Sequence, residues 1–107
     1  MRAILATDLD IAARAVAAVP EPQRAALVAH LLDRAHAGDK WRKATGRAHP
    51  AFGPGTLAAA AAGLPLAPAP RRFDPAACAA LATVIAGIAR WRAERRPFKL
   101  ARPPHLV

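Results

Sequence analysis

Pro20-Glu21-Pro22-Gln23-Arg24-Ala25-Ala26-Leu27-Val28-Ala29-His30-Leu31-Leu32-Asp33-Arg34-Ala35 turns the chain and then starts a helix. The two prolines make a tight turn, and their fixed φ suits the first helical turn that follows. Leu27, Leu31 and Ala35 recur at helical spacing and line one face, flanked by Val28 and Leu32. The pattern continues toward Thr45, and Gly46 is the natural C-terminal stop. Gly38 lies inside this helix at a cost of roughly 1 kcal/mol against Ala, so a kink there is one expectation.

Upstream, a first helix is expected from about Thr7 to Val19, with Leu9, Ala13 and Val16 on its apolar face and Thr7-x-x-Asp10 as its capping box. The short connection makes these two helices an antiparallel αα-hairpin. Downstream, Thr56 can cap a short helix over Leu57–Ala62, closed by Gly63. Residues 64–73, with Pro65, Pro68 and Pro70, read as an extended surface strap. Asp74-Pro75 is the clearest helix start in the chain, a capping Asp before a proline at the first helical position. The helix that follows carries Ala77, Leu81, Val84, Ile88 and Trp91 at alternating spacings of four and three, and is expected to end at Arg96. No strand pattern and no repeat interrupts this reading. The fold class is all-α: a small bundle over residues 1–96, followed by a basic, Pro-containing and flexible tail over residues 97–107.

Composition bounds the function. One domain fits in 107 residues. Its apolar content is dominated by 31 alanines, so the core is thin and a partner could stabilise it. Ser, Asn and Tyr are absent and Gln23 is the sole Gln, which removes serine-based hydrolysis and leaves a poor catalytic inventory. The single cysteine, Cys78, excludes an internal disulfide and a multi-cysteine zinc site, and suits a reducing cytoplasm. Cys78 reads as a small core residue. The apolar start at Met1 is interrupted by Asp8, Asp10 and Arg14, unlike a signal peptide. The uncharged run Pro75–Ala89 falls short of the roughly 20 residues of a membrane span and reads as a soluble, buried helix. The charge is lopsided: residues 1–40 balance, and the whole net +9 falls on residues 41–107. That asymmetry calls for an acidic partner.

The most distinctive segment is Lys40–Leu57, where cations, Trp41, His49, Phe52 and several Gly and Pro crowd together. Within it, Thr45-Gly46-Arg47-Ala48-His49-Pro50, then Phe52-Gly53 and Gly55-Thr56-Leu57, resemble a loop found in small uncharacterised alphaproteobacterial proteins of about this size, known as a domain of unknown function. The resemblance covers most of residues 5–90 and implies no activity. The basic tail beyond Arg90 departs from it.

Three site readings follow. The first is a binding surface for nucleic acid or an acidic protein. Lys40, Arg42, Lys43 and Arg47 surround Trp41, and Arg90, Arg92, Arg95, Arg96, Lys99 and Arg102 surround Trp91 and Phe98. Cations hold phosphates and flat side chains stack on bases. Trp91 itself sits on the apolar stripe and reads as core. The alternative is an adaptor whose small-residue helix face (Ala79, Thr83, Gly87) packs on a partner protein. The outsider is an anion-binding enzyme in which Arg47 and His49 supply charge, beside glycine-flanked amides and the helix start after Thr56. The competing structural reading makes the loop a corner, with His49 bonded to backbone and Phe52 plugging the core. His30, Asp33 and His36 do not share one helix face, so no metal and no cofactor is expected.

Overall fold

The computed structural model describes residues 1–95 and contains four helices: α1 (Ala6–Ala17), α2 (Glu21–Thr45), α3 (Leu57–Ala60) and α4 (Pro75–Arg95). Among the described residues there is no β-strand, and the all-α bundle expected from the sequence is the fold. Arg96 and the Pro97–Val107 tail lie outside the described residues.

α2 is the spine. It starts after Pro20 and stops at Gly46, whose φ of 77° is left-handed and whose N–H donates to Arg42 O at 2.7 Å. α1 returns along it as the antiparallel half of the hairpin. The turn between them is held by Arg24, whose Nε donates to Val19 O at 3.0 Å. α4 lies against both α1 and α2, and α3 against the same pair. Gly87 meets Val28, and Trp91 meets Asp33 and His36 farther along, so α4 and α2 run in the same sense.

The core between them is small and alanine-rich. Val16, Val28, Leu31, Leu32, Leu57 and Val84 are its largest fully buried side chains, and Ala12, Ala15, Ala35, Ala60, Ala61 and Ala80 fill the gaps. Alanine lets helix backbones approach closely, and Gly87 takes this further. A Cβ there would lie 2.4 Å from Val28 Cγ1, so α4 packs directly on α2 at this point.

Four local expectations need correction. α1 is not capped by Thr7, which lies inside the helix. Its N-cap is Leu5, and the N-terminal amide is satisfied by Asp8, whose Oδ2 accepts from Leu5 N–H at 2.8 Å. α1 ends at Ala17 rather than Val19, in a turn where Ala18 and Val19 donate three residues back. α3 stops at Ala60, because Ala62 and Leu64 also donate three residues back and Gly63 then takes a φ of 87°. α4 is not a buried helix. Only Ala80, Val84 and Trp91 are buried, while Ala77, Leu81 and Ile88 are half-buried and Cys78 is exposed. The reason is the layer count: α1 and α2 cover one side of α4, and among the described residues no element covers the other, where Ile85 stands 51% exposed. At 21 residues α4 is long and apolar enough to cross a membrane by composition, although in this fold it packs within the bundle.

The Asp74 cap and the strap match expectation. Asp74 Oδ1 accepts from Ala77 N–H at 2.8 Å. The strap is clipped to α1 through Ala67, whose N–H donates to Arg14 O at 3.0 Å and whose O accepts from Arg14 Nε at 2.8 Å.

Candidate basic interface

The last turns of α2 place Lys40, Trp41, Arg42 and Lys43 at a helix C-terminus, where cations complement the helix dipole. Helical periodicity divides them. Gly38, Asp39 and Arg42 turn toward the loop after α2, and Lys40, Trp41 and Lys43 are exposed. Asp39 organises this end. Its carboxylate is buried and meets Arg42 Nη2 at 2.8 Å, Lys43 Nζ at 3.1 Å and the Met1 α-amine at 3.1 Å. The hydrogen bond from Arg42 holds the Asp39 carboxyl well below the usual carboxylate range; burial opposes this, and the Met1 amine and Lys43 reinforce it. Arg42 also donates from Nε to Pro54 O at 3.2 Å, so its guanidinium ties the loop to α2. Lys43, by contrast, keeps 69% of its side chain exposed.

The Gly/Pro loop crosses α2 at Gly38, and this explains a glycine in mid-helix. A Cβ on Gly38 would lie 2.8 Å from Gly53 O and 3.2 Å from Phe52 O. The helix is not broken there: it runs as one element through Gly38 to Thr45. The loop itself folds back between His49 and Gly53, which exchange backbone hydrogen bonds of 3.1 and 3.0 Å. His49 Nδ1 accepts from the amides of Ala51 and Phe52, both at 3.0 Å, which assigns the ring proton to Nε2. The ring stacks on Phe52 at 4.3 Å and meets the edge of Trp41 at 4.9 Å. Arg34 lies over Phe52, 4.9 Å from its centroid. His49 is therefore a loop organiser. It bonds backbone as the structural reading expected, but through amides rather than a carbonyl, and Phe52 is half-buried beside it rather than a core plug.

An anion pocket at α3 has its donors already filled. Thr56 Oγ1 accepts from Ala59 N–H at 3.1 Å, and Asp8 Oδ1 accepts from Ala58 N–H at 2.9 Å. The anion at this helix start is the protein's own Asp8, buried at 4% exposure and shared between the starts of α1 and α3. Arg47 is exposed, and among the described residues no hydrogen bond or ion pair joins its side chain to His49.

At the end of α4, Trp91 is core, as its place on the stripe suggested. It is 8% exposed, and its Nε1 donates to Asp33 Oδ1 at 2.9 Å. Arg95 covers it, 4.0 Å from the ring, and donates to the same oxygen at 2.8 Å. Asp33 is thus committed, and no cluster of metal-ligating side chains occurs among the described residues. Arg90 and Arg92 are exposed on the same turns, and Arg96 lies outside the described residues.

The two basic groups meet at His36. It packs edge-on against Trp91 at 5.5 Å, and burial is the main cause that lowers its proton affinity. The positive charges of the Met1 amine, Lys40 and Arg95 add to that effect and outweigh Asp39. Lys40 from α2 and Arg95 from α4 therefore act on one point of the surface, although they are 55 positions apart in the chain.

A family model for a domain of unknown function, DUF7742, matches residues 2–88. The chain belongs to the DUF7742 family. It matches no curated protein and no solved structure. The DUF7742 segment contains the hairpin, the loop, α3, the strap and most of α4, so the Lys40–Arg47 shoulder and the His49 corner lie inside it. Arg90, Trp91, Arg92 and Arg95 lie just past the matched residues.

Proposed function

We propose that this DUF7742 protein is a non-enzymatic binding module of the bacterial cytoplasm that docks nucleic acid on its basic shoulder. Lys40, Lys43 and Arg47 would contact phosphates, Trp41 would stack on a base, and Arg90, Arg92, Arg95 and Arg96 would extend the surface. Arg42 and His49 would act from behind, by holding α2 and the loop in register. The observation that carries this reading is the exposure of Trp41, 44%, among three exposed cations. A tryptophan with no further role is normally covered, and cations beside an exposed ring match the combination that single strands use.

The test is fluorescence anisotropy with labelled single-stranded DNA and RNA over a salt series. Binding should weaken with a log–log slope of about −0.7 per phosphate contact on a single strand. Replacing Lys40, Lys43 and Arg47 together by Ala should flatten the slope by about 2, and Trp41→Ala should cost about 1–3 kcal/mol. Absent or salt-independent binding would sink the proposal.

A second reading is a protein–protein adaptor or subunit stabilised by helix packing on a partner, favoured by the open groove between α2 and α4. That groove, about 670 Å³, is lined by Ala25, Ala26, Ala29, Thr83, Ala86 and Gly87, with Arg90 and two glutamates at its edge. Recovery of one stoichiometric protein partner after nuclease treatment would favour it over the first.

A further inference from the structure

We infer that the groove between α1 and the first turns of α4 binds an anionic amphiphile with a single acyl chain of medium length. This site is independent of the basic shoulder. It follows from where the alanines fall. α1 turns Ala6, Ala13 and Ala17 toward α4, and α4 turns Ala76, Ala77 and Ala80 back. Methyl groups facing methyl groups cannot fill the space between two helices, and a slot of about 380 Å³ remains, walled by Leu9 and Leu81. Phe73 stands at its mouth, 64% exposed, although a ring of that size gains roughly 1.5–3 kcal/mol by burial.

The shape selects the occupant. From Ala6 to Ala17 the slot follows α1 for about 16 Å at 1.5 Å per residue. A helix of that length, about 10–12 Å across with its side chains, fills on the order of 1,500 Å³, several times the 380 Å³ of the slot, and does not enter. A single hydrocarbon chain does.

The charge selects the head group. The groove carries two cations, Arg14 and Arg24, against one carboxylate, Asp10. Asp10 and Arg14 are four residues apart on α1, the spacing of a helical ion pair, yet no such pair forms among the described residues. Arg14 instead spends its Nε on Ala67 O, which fixes the guanidinium beside the slot with its terminal nitrogens facing no carboxylate. Arg24 is fixed by Val19 O and Ala17 O at the α1–α2 turn and already meets Glu21 Oε2 at 3.5 Å, so Arg14 is the guanidinium left for a head group. One anchored guanidinium at the edge of an apolar slot is complementary to a carboxylate or phosphate on a hydrocarbon tail.

The experiment titrates the full-length protein with decanoate, decanol and decyltrimethylammonium below their micelle concentrations, followed by calorimetry and by NMR shifts of the α1 and α4 amides. Decanoate should bind more tightly than decanol, and decyltrimethylammonium more weakly than either. Arg14→Gln should weaken decanoate about tenfold while leaving decanol unchanged, which separates head-group recognition from damage to the strap. Ala13→Leu should abolish binding of both by filling the slot. Ala77→Leu, from the opposite wall, repeats this test if Ala13→Leu lowers the melting temperature. The proposal is overturned if decanoate leaves the α1 and α4 amides unmoved, if the filled variants bind as wild type does, or if the cationic amphiphile binds as well as decanoate. In the first case the groove belongs to another occupant, such as an apolar side chain of a protein.

Discussion

Gly38→Ala separates local propensity from tertiary packing, because the two predict opposite signs. In an isolated helix the change stabilises by about 1 kcal/mol. In this fold the added methyl would sit 2.8 Å from Gly53 O, 3.2 Å from Phe52 O and 3.3 Å from Gly55 N. All three are backbone atoms, so no side chain can rotate away. The loop cannot retreat cheaply either. Pro54 O is bonded to Arg42, Gly55 O accepts from Arg2 N–H at 3.1 Å, and His49 and Gly53 are paired. Overpacking of a tight contact costs about 1–3 kcal/mol, which offsets the helical gain and leaves a net loss of about 1 kcal/mol. For a domain of this size that lowers the melting temperature by about 4–8 °C. Urea unfolding followed by circular dichroism measures the loss. Trp41 fluorescence reports whether the His49–Phe52 stack has shifted. Gly46→Ala is the control: nothing lies within 4 Å of its Cβ, and its φ of 77° alone should cost about 1 kcal/mol, with Trp41 emission unchanged. A Gly38→Ala protein that unfolds at or above the wild-type midpoint, with native Trp41 emission, would refute the claim that the loop seals against α2.

Asp8→Ala leaves the amides of Leu5 and Ala58 without their acceptor and should cost about 2 kcal/mol by thermal melting, more than the loss of an exposed cap. Asp39→Asn removes a buried carboxylate from three cations and should cost about 3 kcal/mol at neutral pH. Because the folded state depresses the Asp39 pKa, its contribution is present above the unfolded value near 4 and is lost as pH falls below it; acid unfolding of Asp39→Asn should therefore be flatter in that range. Cys78 should react with a thiol reagent in the native protein at a rate close to that in urea, and a requirement for denaturant would mean that the outer face of α4 is covered.

The parts of the fold that were legible in the sequence are those whose physics is local. The proline turn, the Gly46 stop, the Thr56 cap and the Asp74-Pro75 start each depend on residues within one helical turn. Their chemistry operates wherever the chain goes. The amount of core on α4 was overestimated because periodicity marks which face is apolar and says nothing of how many neighbours cover it. Ile85 and Cys78 remained outside for that reason. Three aspartates have partners that local sequence does not reveal. Asp8 does cap α1 and Asp33 does form an exposed ion pair, with Arg95, but both, like Asp39, also hold groups from elsewhere in the fold. Their decisive partners are Ala58, Trp91 and the Met1 amine, at separations of 50 and 58 positions in the first two cases. The spacing Leu5-x-x-Asp8 was the available signal for Asp8, since an acid three residues past a cap can accept the cap's own amide.

The sequence alone therefore determined the helices, their order and the hairpin, because capping, proline geometry and apolar spacing act over a few residues. Only the tertiary structure decided which carboxylates are buried, why a glycine stands in mid-helix, and which cations remain exposed around Trp41. Those outcomes depend on atoms that meet across the bundle, and a charge is neutralised or left free by what the fold brings within about 4 Å of it.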